Sequence, residues 1–191
     1  MSETVDWAWK LREAVERLKT QYDHIGRKTG ARFLGIVYPP EAEAAALKEW
    51  HTIAESLKPE FDIRTVDVLA VTKAVVGELG AENVVESMAN PMPGANVEAE
   101  LGYMWVSTLA GEVRRCTKEP LPEGKVVIVL ENVAALYPAA GPRNLMQKLW
   151  DQEQSCLPCP VVVLIPGTLR EAKVYSFLNL EDELMYRGDI L

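Results

Sequence analysis

The chain is poor in the residues that most often announce chemistry. It has two histidines and three cysteines in 191 residues. Neither His24 nor His51 has a companion Ser or Cys at a spacing used for nucleophilic catalysis. An odd, small number of cysteines does not build a disulfide framework and fits a reducing compartment. Basic residues are outnumbered, 20 Lys and Arg against 28 Asp and Glu, for a net charge of −8. That balance disfavours direct nucleic-acid binding, which needs clustered Lys and Arg to displace phosphate counterions. It equally disfavours docking on an anionic membrane. No apolar run reaches the roughly 18 residues that span a bilayer. The N-terminus, MSETVDWAWKLREAVERLK, is amphipathic and has no signal-peptide core, so a cytoplasmic location is expected.

Cofactor fingerprints are missing too. No G-x-x-x-x-G-K-[ST] cradle is present, and the first strand expected ends in Tyr38-Pro39-Pro40. Two prolines there remove the N–H donors that a phosphate would need. The short echo GRKT, Gly26 to Thr29, precedes that strand instead of following it. Neither a G-x-G-x-x-G run nor a G-x-S-x-G elbow occurs. Cys156-Leu-Pro-Cys159 has the spacing of a redox or metal pair, but it leads into a strand and is flanked by prolines. A thiol is activated at a helix N-terminus, which this pair lacks. Zinc takes four ligands, and Cys116, His24 and His51 are scattered. No cofactor or metal is expected.

What the chain does have is alternation of two periods. Ala8, Leu11, Val15, Leu18, Tyr22 and Ile25 form one helical stripe, predicting a first helix of about six turns. Trp7 and Trp9 cannot both lie at its centre. ARFLGIVY, Ala31 to Tyr38, reads as a strand, and Pro39-Pro40 opens a helix running to about Leu57. FDIRTV, Phe61 to Val66, is the second strand, with Asp67 placed to cap a helix that Gly80 closes. A helical insert over 81–117 follows, divided by NPMPG, and the loop EPLPEG leads on. KVVIVLE, Lys125 to Glu131, is apolar enough to be a strand buried on both faces. A helix from Arg143 to about Ser155 and a strand from Val161 to Ile165 complete the regular part. AKVYSFLNL suits a short edge strand, and the tail LMYRGDIL shows no clear period.

This order predicts a single α/β domain over 1–191, with an N-terminal helix in 1–29 and the insert before the third strand. The architecture expected is a three-layer sandwich around a mostly parallel sheet, Rossmann-like or degenerate P-loop-like. In such sheets ligands gather at the carboxyl ends of the strands, which makes Glu131 a candidate acid. A nucleotide- or metal-dependent enzyme with an unfamiliar site around Glu131 is therefore one reading.

Three segments carry a resemblance. They are KVVIVLENVAALYPAAGPRNLMQKL, then VVVLIPGTL, then the closing KVYSFLNLEDELMYRGDIL. Together they resemble the BrxB-like small components of bacterial BREX phage-resistance systems, in detail over roughly the last 70 residues. AAGPR, between Pro138 and Asn144, departs from the more polar segment of that pattern. The resemblance implies a cytoplasmic, non-catalytic assembly or regulatory component. Its partners would be the large ATPase, the DNA methyltransferase and the phosphatase-like protein of the system. The positions it singles out are Glu131, Tyr137, Pro138, Arg143, Pro166, Gly167, Tyr186 and Arg187. Tyr137-Pro138 and Pro166-Gly167 also read simply as turns at the ends of their elements.

Overall fold

The computed structural model describes residues 7–118, 124–153 and 157–191. Ser155, Cys156 and the EPLPE part of the expected loop lie outside the described residues, as does the start of the N-terminal segment.

The predicted alternation folds as a three-layer, Rossmann-like α/β sandwich around a seven-stranded, mostly parallel sheet. The strands are β1 (Phe33–Tyr38), β2 (Phe61–Asp67), β3 (Lys125–Glu131), β4 (Val161–Glu171), β5 (Val174–Phe177), β6 (Glu181–Leu184) and β7 (Gly188–Ile190). Their order is β2-β3-β4-β1-β7, all parallel, and β5 and β6 extend β4 as an antiparallel hairpin. β3 thus has a neighbour on each side, as its unbroken apolar run requires.

Side chains alternate along each strand, so the sheet has two apolar faces and needs a helical layer on each. Leu34, Ile36, Val127, Val129, Val162 and Leu164 share one core with α1 (Ala8–Gln21) and α2 (Glu43–Ala54). Phe33, Val37, Ile128, Leu130, Val163 and Ile165 share the other with α3 (Val68–Leu79), α5 (Val97–Lys118) and α6 (Pro142–Glu153). Between α3 and α5 lies α4 (Ala81–Ala89), none of whose residues is buried.

Local chemistry placed most boundaries. Asp67 accepts the Ala70 N–H at 3.3 Å and caps α3, and Gly80, at φ +83°, ends it. The first helix is shorter than its stripe. α1 stops at Gln21 and Tyr22–His24 continues as a 3-10 turn, although Ile25 is still buried. The apolar stripe marked a buried face, and the buried face outlasts the α-helix. Trp7 packs on the core while Trp9 is exposed, dividing the two as the stripe geometry demands.

The larger correction concerns Pro166-Gly167 and the tail. Pro166-Gly167 is no turn: β4 runs straight through it. Pro166 pairs with Tyr38, the last residue of β1, so its missing N–H falls where the parallel ladder ends. Gly167 then pairs with Phe177, and a Cβ there would lie 2.3 Å from the Ser176 carbonyl oxygen. Only glycine lets β5 approach so closely. The aperiodic tail LMYRGDIL starts on the last residue of β6 and contains β7, which lies parallel to the first three residues of β1.

Two glycines of α5 give a matched test. An added methyl at Gly102 would meet the Ala139 carbonyl oxygen at 2.1 Å, whereas Gly111 has open space around it. Gly102→Ala is expected to destabilise by about 1–3 kcal/mol. Gly111→Ala is expected to stabilise by about 0.5–1 kcal/mol, since helix propensity then acts alone. Urea unfolding of the two variants checks this; effects of the same sign would contradict the packing of α5 on the 137–140 segment.

Candidate functional site

The helix after β1 lies on one face of the sheet, and the helices after β2 and β3 lie on the other. The carboxyl ends of β1, β3 and β4 therefore surround the topological switch point, where a sheet of this type holds its ligands. Two clusters of polar side chains occupy this edge, one on each face.

On the α2 face, β1 ends in Tyr38 and β3 in Glu131, which is only 6% exposed. Glu131 Oε1 lies 2.8 Å from Nε2 of His51, which reaches across from α2. Tyr38 Oη is buried beside Glu43, in the first turn of α2, without a well-formed hydrogen bond. Burial pushes the Tyr38 phenol well above its ordinary value, and the Glu43 and Glu131 carboxylates push it further. Burial likewise raises the Glu43 carboxyl. Next along the edge, Asn132 Nδ2 donates to Asp67 Oδ1 at 2.9 Å and ties the ends of β2 and β3 together. His51, with its side chain 60% exposed, borders an open groove along α2 lined by Leu47, Lys48 and Glu55. This arrangement can hold a proton between His51 and Glu131. Among the described residues no three His, Cys, Asp or Glu side chains converge as a metal site requires.

On the α6 face, Glu183 of β6 is buried and its Oε2 accepts two hydrogen bonds. Tyr175 Oη donates at 2.5 Å and the Arg143 backbone N–H at 3.1 Å. The carboxylate so sits on the N-terminus of α6, where the helix dipole favours negative charge. Burial raises the Glu183 carboxyl, and its bonds to Tyr175 and the Arg143 amide oppose the rise. The Tyr175 phenol is raised in turn by burial and by the Glu183 carboxylate. Gly141 makes the approach possible: a Cβ on it would lie 1.8 Å from Glu183 Oε1.

The residues singled out from sequence do not converge on one site. Glu131 belongs to the α2 face, and Arg143 meets Glu183 on the other. Tyr137 and Pro138 form a turn before α6, joined by a cis peptide, and Tyr137 is exposed. Pro166 and Gly167 continue β4 into the hairpin. Tyr186 packs on the core beside Arg187, whose guanidinium stacks 4.5 Å over the Trp150 ring. Cys159 is a buried thiol pushed up to about 11 by burial, which opposes formation of a reactive thiolate. Sequence reading missed His51 as the partner of Glu131, since 80 residues separate them. It also missed Tyr38 with Glu43, and Tyr175 with Glu183. No sequence pattern marked Glu183, because the strand buries a glutamate and exposes Leu184 beside it.

A raised carboxyl makes a pH prediction. Below the ordinary value near 4.5, Glu183 is protonated in folded and unfolded chains alike, and its stabilising contribution is complete. As pH rises through the higher folded value, the buried group must ionise and stability is lost. The stability of the native chain should therefore fall relative to Glu183→Gln from about pH 4.5 upward. Urea titrations over a pH series check this, and a pH-independent difference would contradict it.

No protein-family model, curated protein or solved structure matches the chain. Its function therefore rests on the residues themselves.

Proposed function

We propose that the chain is a non-enzymatic assembly or regulatory component of a BREX-type phage-resistance system, working through contacts with the other components of that system. The large ATPase, the DNA methyltransferase and the phosphatase-like protein are the partners the C-terminal resemblance implies. One observation carries the non-enzymatic part: the chain's own residues fill the switch point. Tyr38 is buried there, Pro39 and Pro40 follow where a phosphate cradle would stand, and β4 continues past the edge into a hairpin. The surfaces offered to partners are the helical insert, with Met88 and Met92 exposed, α1 with Trp9 exposed, and the tail around Arg187. Expressed at native level in a host carrying the whole system, the tagged chain should co-purify with at least one other component. Repeated recovery of the chain alone would count decisively against this reading.

A second reading is favoured by one feature, the half-exposed His51 ring against the buried Glu131 carboxylate. A ligand using that dyad would make the protein a nucleotide- or metal-dependent enzyme. A ligand at 100 times its Kd stabilises the folded state by about 2.7 kcal/mol. Thermal unfolding with millimolar ATP, GTP and Mg²⁺ is expected to show no shift. A reproducible upward shift that Glu131→Gln abolishes would instead establish the enzyme reading.

A further inference from the structure

An adaptor needs a face for its partner, and one stretch of this chain is unlike the rest. Between Lys73 and Arg114 the sequence holds no Lys, Arg, His or Asp and six glutamates, Glu78, Glu82, Glu86, Glu98, Glu100 and Glu112. The same stretch leaves apolar side chains in water. Val85 is 67% exposed, Met88 48% and Met92 77%, and Leu79 and Met104 are exposed as well. α4 buries no residue, so it gains little from tertiary packing, the usual source of stability for a short helix. Between α4 and the start of α5 lies a cavity of about 270 Å³, with Leu79, Val84, Met92, Leu101 and Met104 in its wall and Glu100 beside them.

Size, shape and charge together select the occupant. The cavity is smaller than the roughly 300–1,000 Å³ of small-molecule sites and suits one or two large side chains. Methionine walls are soft and adapt to such anchors. The groove lies between helices, and that geometry receives an amphipathic helix laid lengthwise with its apolar face inward. The one-signed charge of this stretch, with Glu100 in the groove wall, rejects a second copy of the same face, an anionic membrane and a nucleic acid, each through like-charge repulsion. It attracts Lys and Arg.

We infer that the groove between α4 and α5 is the docking site for a basic amphipathic helix of a partner protein. One or two large apolar side chains of that helix seat among Leu79, Met92, Leu101 and Met104, and its cations meet Glu100 in the groove wall. This rests on the adaptor reading and names the partner chemistry that reading leaves open.

The test uses the full chain and two fluorescein-labelled 18-residue peptides. One is built of Leu and Lys with Leu at helical spacing, and the other has every Leu replaced by Ser. By fluorescence anisotropy the Leu–Lys peptide should bind at least tenfold more tightly than the Ser–Lys peptide. The double substitution Met92→Gln with Met104→Gln should weaken Leu–Lys binding at least tenfold, while Leu180→Gln, at an exposed position on the β5–β6 turn, leaves it unchanged. Both altered methionines are exposed, so thermal unfolding should be unaltered. Equal binding of the two peptides, or equal binding by the groove variant and the Leu180 variant, would overturn the inference. Co-purification from a host with the BREX-type system separates this from the adaptor reading. Components recovered equally by the native chain and the groove variant overturn the groove alone. Components never recovered by the native chain overturn the adaptor reading, and the peptide comparison still decides the groove.

Discussion

A single buried carboxylate holds the upper part of this molecule together. Glu183, on β6, joins both strands of its hairpin, β5 through Tyr175, to α6, 40 residues earlier, through the Arg143 amide. A carboxylate left unpartnered at such burial would cost several kcal/mol. Here a phenol, a backbone N–H and a helix dipole all address it, tying the β5–β6 hairpin, already paired to β4, onto α6. Once the hairpin is fixed, the direction of the tail is fixed as well. Met185 donates its N–H to the Lys173 carbonyl at 2.7 Å, and β7 follows against β1. The Gly26 N–H then donates to Asp189 Oδ2 at 3.2 Å, linking the end of the chain to the loop before β1.

This closure bears on function through its position. The hairpin grows out of β4 at Pro166, level with the end of β1, so it stands at the edge where an open α/β sheet meets its ligands. The other side of that edge is held by Tyr38, Glu43, Glu131 and His51. Glu131 is thus engaged by His51 at the switch point, while Tyr38 Oη is buried there without a well-formed hydrogen bond. Val84 of α4 packs against the core, and Val85, Met88 and Met92 are left exposed. The exposed apolar and acidic helical face is the feature behind the proposal of protein contacts.

The central architecture was legible because the two periods of the sequence report burial directly. β3 is apolar at every position from Val126 to Leu130 since both its faces are covered, and Asp67 and Gly80 mark the ends of α3 by their own hydrogen-bonding and dihedral preferences. The strand β5 was legible in AKVYSFLNL, but its hairpin with β6 was not, for a local reason. Its turn places Leu178 and Asn179 at φ +54° and +59°, a conformation in which glycine is the ordinary signal. Without a glycine there, NLEDEL reads as a solvated acidic loop, and Glu183 disappears among Glu181 and Asp182. The candidate site was legible only in part. The position of Glu131 at a strand's end follows from pattern, but its meeting with His51 depends on how α2 crosses the sheet, which no local feature encodes. Pro166-Gly167 misled because the pair usually marks a turn, whereas here the missing N–H and missing Cβ serve a change of strand partner.

Native-state amide hydrogen exchange measures directly whether the carboxyl edge is closed in solution. If Glu183 clasps the hairpin to α6 as part of the folded core, the amides of β5, β6 and Arg143 should open with the same free energy as those of β3 and β4. Exchange of the hairpin and Arg143 amides several kcal/mol more easily than the central strands would mean that the edge opens on its own. A sheet edge that opens freely is available to ligands, and the closed-scaffold account would then be wrong.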